Sequence, residues 1–324
     1  MHSSAATPDD LDLLSAWRIG AVHSISTPDL GTINRTLLVD TAGGSYALRA
    51  YRHAERSPVE REHAVIAHVR AHGLPAVAPL RLPSGTTILE WEGRFYALFP
   101  RAPGRQRARG QLTKADFAAM GVFLARVHAA LRGFPIEQAA RRDFSIDRGA
   151  TLADIDLLEA AVRTLPTPSE IEQSVLRQLA DRRAWIAQSS FDTLPDISSL
   201  EQQVIHGDYQ ETNLFFQAGR VVAIIDWDQT YEASREWEIA RTLDLVCKFE
   251  VQPSRAFLSG YRAHASLDPA ALDLATTAYA LMRAHDLSLY RAIYFKGNQR
   301  KRQFVSHEEF VSLAERWAAL KERL

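Results

Sequence analysis

The residues with the clearest chemical potential gather in one short stretch. Val204-Ile-His-Gly-Asp-Tyr-Gln-Glu-Thr-Asn213 runs into the apolar Leu214-Phe-Phe, a turn at Ala218-Gly219, and Val221-Val-Ala-Ile-Ile225, closing on Asp226-Trp-Asp228. Two apolar runs around a short turn read as a β-hairpin, so Asn213, entering the first strand, and Asp226, leaving the second, belong at the same end. Asp208 stands on the loop leading to that end. A carboxylate, an amide oxygen and a second carboxylate therefore converge on one small volume. Such oxygen ligands suit a hard cation such as Mg²⁺, which binds through one or two carboxylates together with substrate phosphates. Phosphoryl transfer needs that cation and also a carboxylate beside the attacking hydroxyl. On this reading Asp208 accepts or orients the hydroxyl proton, and Asn213 and Asp226 hold the metal. Asp228 is either a further carboxylate at the metal or a polar residue opening a helix. His206 belongs to the same catalytic loop and is expected to brace it by hydrogen bonding rather than to carry protons.

These residues need a scaffold, and the flanking sequence predicts one. Ile33–Val39 and Ser45–Tyr51 are rich in β-branched and aromatic residues and flank Asp40-Thr-Ala-Gly-Gly44, where the two glycines are expected to supply positive φ. Ser57-Pro-Val-Glu60 reads as a capping box opening a helix that Gly73 and Pro75 close. Strands over Thr86–Trp91 and Arg94–Phe99 turn at Glu92-Gly93. Pro100-Arg-Ala-Pro-Gly104 then breaks the pattern, which places a lobe boundary there: 1–101 and 102–324. Beyond it Thr113 caps a helix whose Phe117, Met120, Leu124, Val127 and Leu131 recur at three and four, one buried face. The remainder reads as mainly helical. The fold class expected is α+β: a small antiparallel sheet with one helix, then a larger helical lobe carrying the hairpin.

The stretch His206-Gly-Asp208…Asn213…Ile225-Asp-Trp227 resembles the catalytic core of the aminoglycoside phosphotransferase superfamily, which includes type II homoserine kinases and choline kinases and has a bilobal protein-kinase-like fold. The likeness extends upstream through Gly31-Thr-Ile-Asn-Arg-Thr36, Tyr46-Ala-Leu-Arg49, Arg61-Glu62, Phe95-Tyr-Ala-Leu-Phe99 and Pro103-Gly104, covering roughly residues 30 to 245. The resemblance implies an ATP- and Mg²⁺-dependent kinase with a nucleotide-binding first lobe. It implies that Arg49, where better-known members carry lysine, grips the ATP phosphates. It also implies that adenine meets the connector near Leu98, Phe99 and Arg101, and that Gly31 and Asn34 remain of a phosphate-covering loop without the G-x-G-x-x-G triplet. The partner of Arg49 follows from periodicity instead. Val59, Ile66 and Val69 lie −3, +4 and +7 from Glu62, which centres that carboxylate on an apolar helix face where it needs a cation.

Composition narrows the partners. Among 324 residues, 38 Lys+Arg against 39 Asp+Glu leave a formal charge of −1, which argues against nucleic-acid binding by bulk charge. One cysteine, Cys247, leaves no internal disulfide and points to a reducing, cytoplasmic compartment. No apolar run is long enough for a membrane span. The helix expected by about Arg235 leaves no activation segment for a peptide, so the acceptor is a small hydroxyl compound. Six basic residues against Asp286 between Arg283 and Arg302 weakly favour an amino alcohol such as homoserine over an aminoglycoside. An antibiotic-type kinase and a non-catalytic nucleotide-binding pseudokinase are the rivals. Oligomeric state leaves no trace.

Overall fold

The computed structural model describes residues 8–27, 35–108, 110–135 and 139–324. The chain begins with α1 (Pro8–Ser15), β1 (Val22–Ser26), β2 (Arg35–Thr41), β3 (Gly44–Ala50), α2 (Ser57–Ala71), β4 (Leu89–Trp91) and β5 (Arg94–Pro100). Then come α3 (Lys114–Leu131), α4 (Arg148–Arg163), α5 (Glu170–Gln188) and the short strands β6 (Gln202–Ile205), β7 (Leu214–Gln217), β8 (Arg220–Ile224) and β9 (Tyr231–Ser234). The helices α6 (Arg235–Leu245), α7 (Val251–Arg262), α8 (Pro269–His285), α9 (Ser288–Tyr294) and α10 (Leu313–Lys321) complete it. The expected α+β class holds. Among the described residues no helix is long and apolar enough to cross a membrane.

The antiparallel sheet runs β1-β2-β3-β5-β4, one strand more than the sequence suggested. Its inner face closes over Leu37, Val39, Leu48 and Leu98 with Leu14 and Trp17 following from α1. At the β2–β3 turn only Gly44 takes positive φ, 139°. Gly43 is required for another reason: a Cβ there would lie 2.7 Å from the Ile19 carbonyl oxygen. The turn at Glu92-Gly93 is as expected, with both residues left-handed at φ 48° and 70°. On α2 the expected capping box does not form. Arg56 is the N-cap without a side-chain cap bond, and Glu60 instead accepts from Arg56 Nε at 2.8 Å. Proline at the first turn suffices to start the helix, because its missing N–H would go unsatisfied there in any case. The capping box at Thr113 forms, with Asp116 as its second member.

The chain divides into two compact units. The first comprises residues up to 141 together with 203–233 and 256–265; the second comprises 142–202, 234–255 and 266–324. Two stitches bind the β7–β8 hairpin into the first unit. Ile224 pairs with the Pro75–Val77 segment (Ile224 N to Pro75 O 3.2 Å, Val77 N to Ile224 O 3.1 Å), and Phe216 exchanges backbone bonds with Arg105 at 2.8 and 3.0 Å. The last turns of α7 join the same unit by close helix contact. A Cβ on Gly121 of α3 would sit 2.0 Å from the Phe257 carbonyl oxygen, and one on Gly260 of α7 would sit 2.1 Å from that of Ala118. Gly260→Ala is therefore expected to cost about 1–3 kcal/mol, since one helix must shift to admit the methyl group. An unchanged urea midpoint would show that α3 and α7 slide freely.

In the second unit α4 and α5 pack Ile155, Leu158 and Val162 against Val175, Leu179 and Ile186, with Tyr290 and Ile293 of α9. Three of the six basic residues that hinted at an anionic acceptor are ion-paired inside this unit. Arg283 meets Asp244 and Asp286, Arg291 meets Asp154, and Arg302 meets Glu172. Their positive charge is thus spent on the fold. His128, Trp227, Trp237, Tyr279, Tyr290 and Cys247 are core residues, and the His128 ring bonds the Tyr261 hydroxyl at 2.9 Å.

Candidate active site

β3 and α2 together set the cationic side of the site. Arg49 faces Ala97 across the β3–β5 register, and its guanidinium crosses to α2, where Nη1 meets Glu62 Oε1 at 3.1 Å. Glu62 is only 2% exposed, as its place on the apolar stripe requires. The other terminal nitrogen, Nη2, reaches Asp226 Oδ1 at 2.7 Å and Asp228 Oδ2 at 2.9 Å. Arg49 also lies over the Tyr51 ring, 5.3 Å from its centroid. One guanidinium thus serves three carboxylates. Asp228, ambiguous in the sequence, is a buried partner of this cation.

The hairpin and its loop set the acidic side. Asp208 Oδ2 accepts from Asn213 Nδ2 at 2.8 Å and from Gln210 Nε2 at 2.9 Å, while Asn213 Nδ2 also reaches the Asp208 carbonyl at 2.8 Å. The bond from Ile225 N to Asn213 O, 3.0 Å, places Asn213 beside the end of β8, as the hairpin reading required. His206 is fully buried, accepts from the Asp208 amide at Nδ1 (3.2 Å) and meets the Ile225 carbonyl through Nε2 (3.1 Å). With Nδ1 accepting and Nε2 donating, the ring is neutral and bridges the loop to the strand end, the bracing role expected of it. Gly207 between them has φ 79°, and a Cβ there would fall 2.1 Å from the Gln229 carbonyl oxygen.

Asp226 stands in the left-handed region at φ 69°, ψ 57°, an uncommon conformation for a residue with a side chain. Strain of this kind collects at functional sites. Its side chain is 36% exposed against 5% for Asp228, so Asp226 is the carboxylate open to a ligand. Burial raises its pKa, Arg49 opposes this, and Asp228 and Asp208 add to the rise. Arg49 stays firmly cationic: burial works against its charge, but Glu62 and then Asp226 outweigh that.

Charge and donor type test the fit to a divalent cation. Three carboxylates around one guanidinium leave the cluster short of positive charge, and Asn213 uses its amide nitrogen on Asp208, so its side-chain oxygen is the atom of the right type for a hard cation. Among the described residues no three His, Cys, Asp or Glu form a ready-made cage. One carboxylate, Asp226, with the Asn213 amide oxygen as a further oxygen donor suits Mg²⁺, which binds through one or two carboxylates when phosphates complete its shell. The residues present fit.

Burial also sets two opposed titrations on α2. Glu62 is pushed up to about 7 by burial, with Arg49 opposing, and His63 is pushed down to about 4 by burial and then by Arg49. Folded Glu62 keeps a proton that the unfolded chain releases near 4.5, so its contribution to stability is full below that pH and lost as pH rises through about 7. Folded His63 stays neutral where the unfolded chain charges, so its contribution is present above about 6.5 and lost as pH falls through about 4. Relative to wild type, Glu62→Gln should gain stability as pH rises from 4.5 to 7, and His63→Gln as pH falls from 6.5 to 4. Parallel urea-midpoint curves for variant and wild type would refute either assignment.

The remaining expected residues divide. Gly31 and Asn34 lie outside the described residues. At the connector the Leu98 carbonyl already accepts from the Leu80 amide at 2.7 Å, and the Arg101 amide donates to Ser45 at 2.9 Å. Phe99 lies between them, opposite Ala47. Two contributors were not foreseen: Gln210, which holds Asp208, and Tyr51, whose ring supports Arg49. Spacing alone gave no signal for either.

A small sheet with one carboxylate-bearing helix, followed by a loop and hairpin with this acid–amide–acid set, defines a kinase-like phosphotransferase. Solved structures show the same fold. A spectinomycin phosphotransferase complexed with ADP and spectinomycin aligns over 99% of this chain and 100% of its own, with TM-score 0.69 and 16% identity. An aminoglycoside phosphotransferase from Alicyclobacillus acidocaldarius aligns over 99% and 94%, with TM-score 0.66 and 14% identity. Residues 24–274 match the model of the phosphotransferase enzyme family, and the chain belongs to that family. It is similar to the homoserine kinase of Phenylobacterium zucineum, 28% identical over 86% of this chain and 85% of that one. It is likewise similar to the homoserine kinase of Bradyrhizobium diazoefficiens, 26% identical over 87% and 84%. The protein is a small-molecule kinase acting on a hydroxyl group.

Proposed function

We propose that the chain transfers the γ-phosphoryl group of ATP to the hydroxyl of a small amino alcohol, homoserine being the first candidate. The observation that carries this reading is the cluster of Arg49, Glu62, Asp226 and Asp228 on the same compact unit as the Asp208–Asn213 pair. A pseudokinase has no need to keep the complete set. The curated relatives support homoserine, because they match over more than four fifths of their own length.

In this reading Asp208, oriented by Gln210 and Asn213, accepts the hydrogen bond of the acceptor hydroxyl and takes its proton as the oxygen bonds to phosphorus. The bond from the γ-phosphorus to the bridging oxygen breaks, and ADP departs. Arg49 exchanges its contacts with Asp226 and Asp228 for phosphate oxygens while Glu62 holds its other nitrogen. Asn213 and Asp226 would hold Mg²⁺, which when bound neutralises charge across the phosphates. The first lobe, residues 1–101, would carry the nucleotide, its adenine against the connector at Phe99, with Leu98 and Arg101 framing it. Gly31 and Asn34 would belong to the loop over the phosphates.

ADP release with MgATP across homoserine, choline, ethanolamine, sugars and aminoglycosides tests the acceptor. Turnover with homoserine at least about tenfold above every other compound is the expected result, a gap of ~1.4 kcal/mol in transition-state binding. An aminoglycoside as the best acceptor would replace the amino alcohol while leaving the kinase assignment intact.

A further inference from the structure

Arg49 has to change partners when phosphates arrive, and what steadies it through the change lies behind it. On the reading above it gives up Asp226 and Asp228 and keeps Glu62 through Nη1. Its Nε is buried without a hydrogen-bond partner. One ion-pair bond fixes a distance but not the tilt of a planar fork. The second restraint is the Tyr51 ring, over which the guanidinium lies 5.3 Å from the centroid.

Tyr51 follows directly on β3, and it is anchored from three sides. Its amide donates to the Phe95 carbonyl at 2.9 Å. Its body is buried in one cluster with Val59, Ile88, Phe95 and Ala97. Its hydroxyl lies 3.1 Å from His63 Nε2, and His63 Nδ1 lies 2.7 Å from the Thr87 hydroxyl. A neutral imidazole carries one donor and one acceptor, and each hydroxyl can complement either, so both bonds form in either tautomer. Burial, and then Glu62, holds the Tyr51 phenol well above its ordinary value, so its proton stays in place. The same imidazole stands edge-on to the Phe99 ring, with centroids 6.1 Å apart at 84°. One side chain on α2, next to Glu62 in sequence, therefore touches both the support of the cation and the connector.

We infer that Tyr51, His63 and Thr87 form a positioning chain for the nucleotide: it fixes the Tyr51 ring, and through the ring the plane in which Arg49 offers its fork to the phosphates. The inference rests on the phosphate-gripping role proposed for Arg49. The chain acts on the cation and not on Asp208, so its loss falls on nucleotide affinity and spares the acceptor.

Calorimetric titration of the full chain with MgATP, alongside thermal melts, tests this in Tyr51→Phe, which keeps the ring and removes only the hydroxyl, and in His63→Leu. Each is expected to weaken MgATP about fivefold, the effect of one neutral hydrogen bond, while the KM of the acceptor stays within about twofold. His63→Gln, which keeps a donor and an acceptor, should restore most of the affinity lost in His63→Leu. Both single variants break the same bond, so Tyr51→Phe/His63→Leu should lose no more than the larger single. A merely structural role would lower the melting temperature and leave the affinity of the folded protein in place. MgATP affinity within about twofold of wild type in Tyr51→Phe, or losses that multiply in the double variant, would overturn the inference. Should Tyr51→Phe not fold, Thr87→Val, which frees the imidazole from the segment before β4, carries the same expectation. Wild-type protein that fails to bind MgATP would overturn the nucleotide role of the Arg49 cluster as well, so the two failures are told apart.

Discussion

Asp208→Asn is expected to lower kcat about 10³-fold, within the range that a positioned acid–base group contributes, while MgATP affinity changes by less than about threefold. The geometry makes the substitution clean. The Asp208 oxygen that accepts from Asn213 and Gln210 can be kept as the amide carbonyl, so the loop stays in place. What disappears is a carboxylate able to receive the acceptor's proton. The Asp208 amide, held by His206, is unaffected. Single-turnover phosphoryl transfer alongside nucleotide titration checks both halves. Activity within tenfold of wild type would remove Asp208 from the reaction.

Asp226→Asn should produce the opposite pattern. Asparagine tolerates the left-handed backbone at least as well as aspartate, so φ 69° does not oppose it. Arg49 keeps Asp228 and Glu62. The charge open to a metal is lost, and even residues that merely support a metal ligand cost about 10–100-fold in affinity when removed. The expected result is that Mg²⁺ strengthens ATP binding to the wild type but barely alters binding to the variant. Equal enhancement in both would exclude Asp226 as a ligand. The two variants together separate a group that acts on the acceptor from one that acts on the nucleotide.

Much of this site was legible because its parts are local. The hairpin announces itself through two apolar runs and a turn, and with it the proximity of Asn213 and Asp226. Glu62 is readable from three apolar neighbours on its own helix. The contact from Arg49 to Asp226 was not readable, because it spans 177 positions and depends on how the hairpin is stitched to Pro75–Val77 and Arg105. The same holds for Asp228, whose burial comes from that docking. Short strands also escaped: Val22–Ser26 and Tyr231–Ser234 each hold too few residues for a period of two to stand out. At α2 the cap residues were present and the bond was not, since Arg56 competes for Glu60.

The chain order of the first unit bears on how the protein is made. Its last segment ends at Ala265, far beyond Arg141, where the first segment stops. At about 5–20 residues per second on the ribosome, the intervening stretch takes roughly 6–25 s to synthesise. For the first 85 residues of that stretch, up to Asp226 and roughly 4–17 s, the nascent chain holds β3 and α2, and with them Arg49 and Glu62, but not the complete hairpin that supplies Asp226. Gly121 waits for Gly260 until the end of that stretch, so the patch of α3 that α7 covers gains its partner last. A fragment ending near residue 141 therefore lacks both the hairpin and the α7 turns that complete its unit.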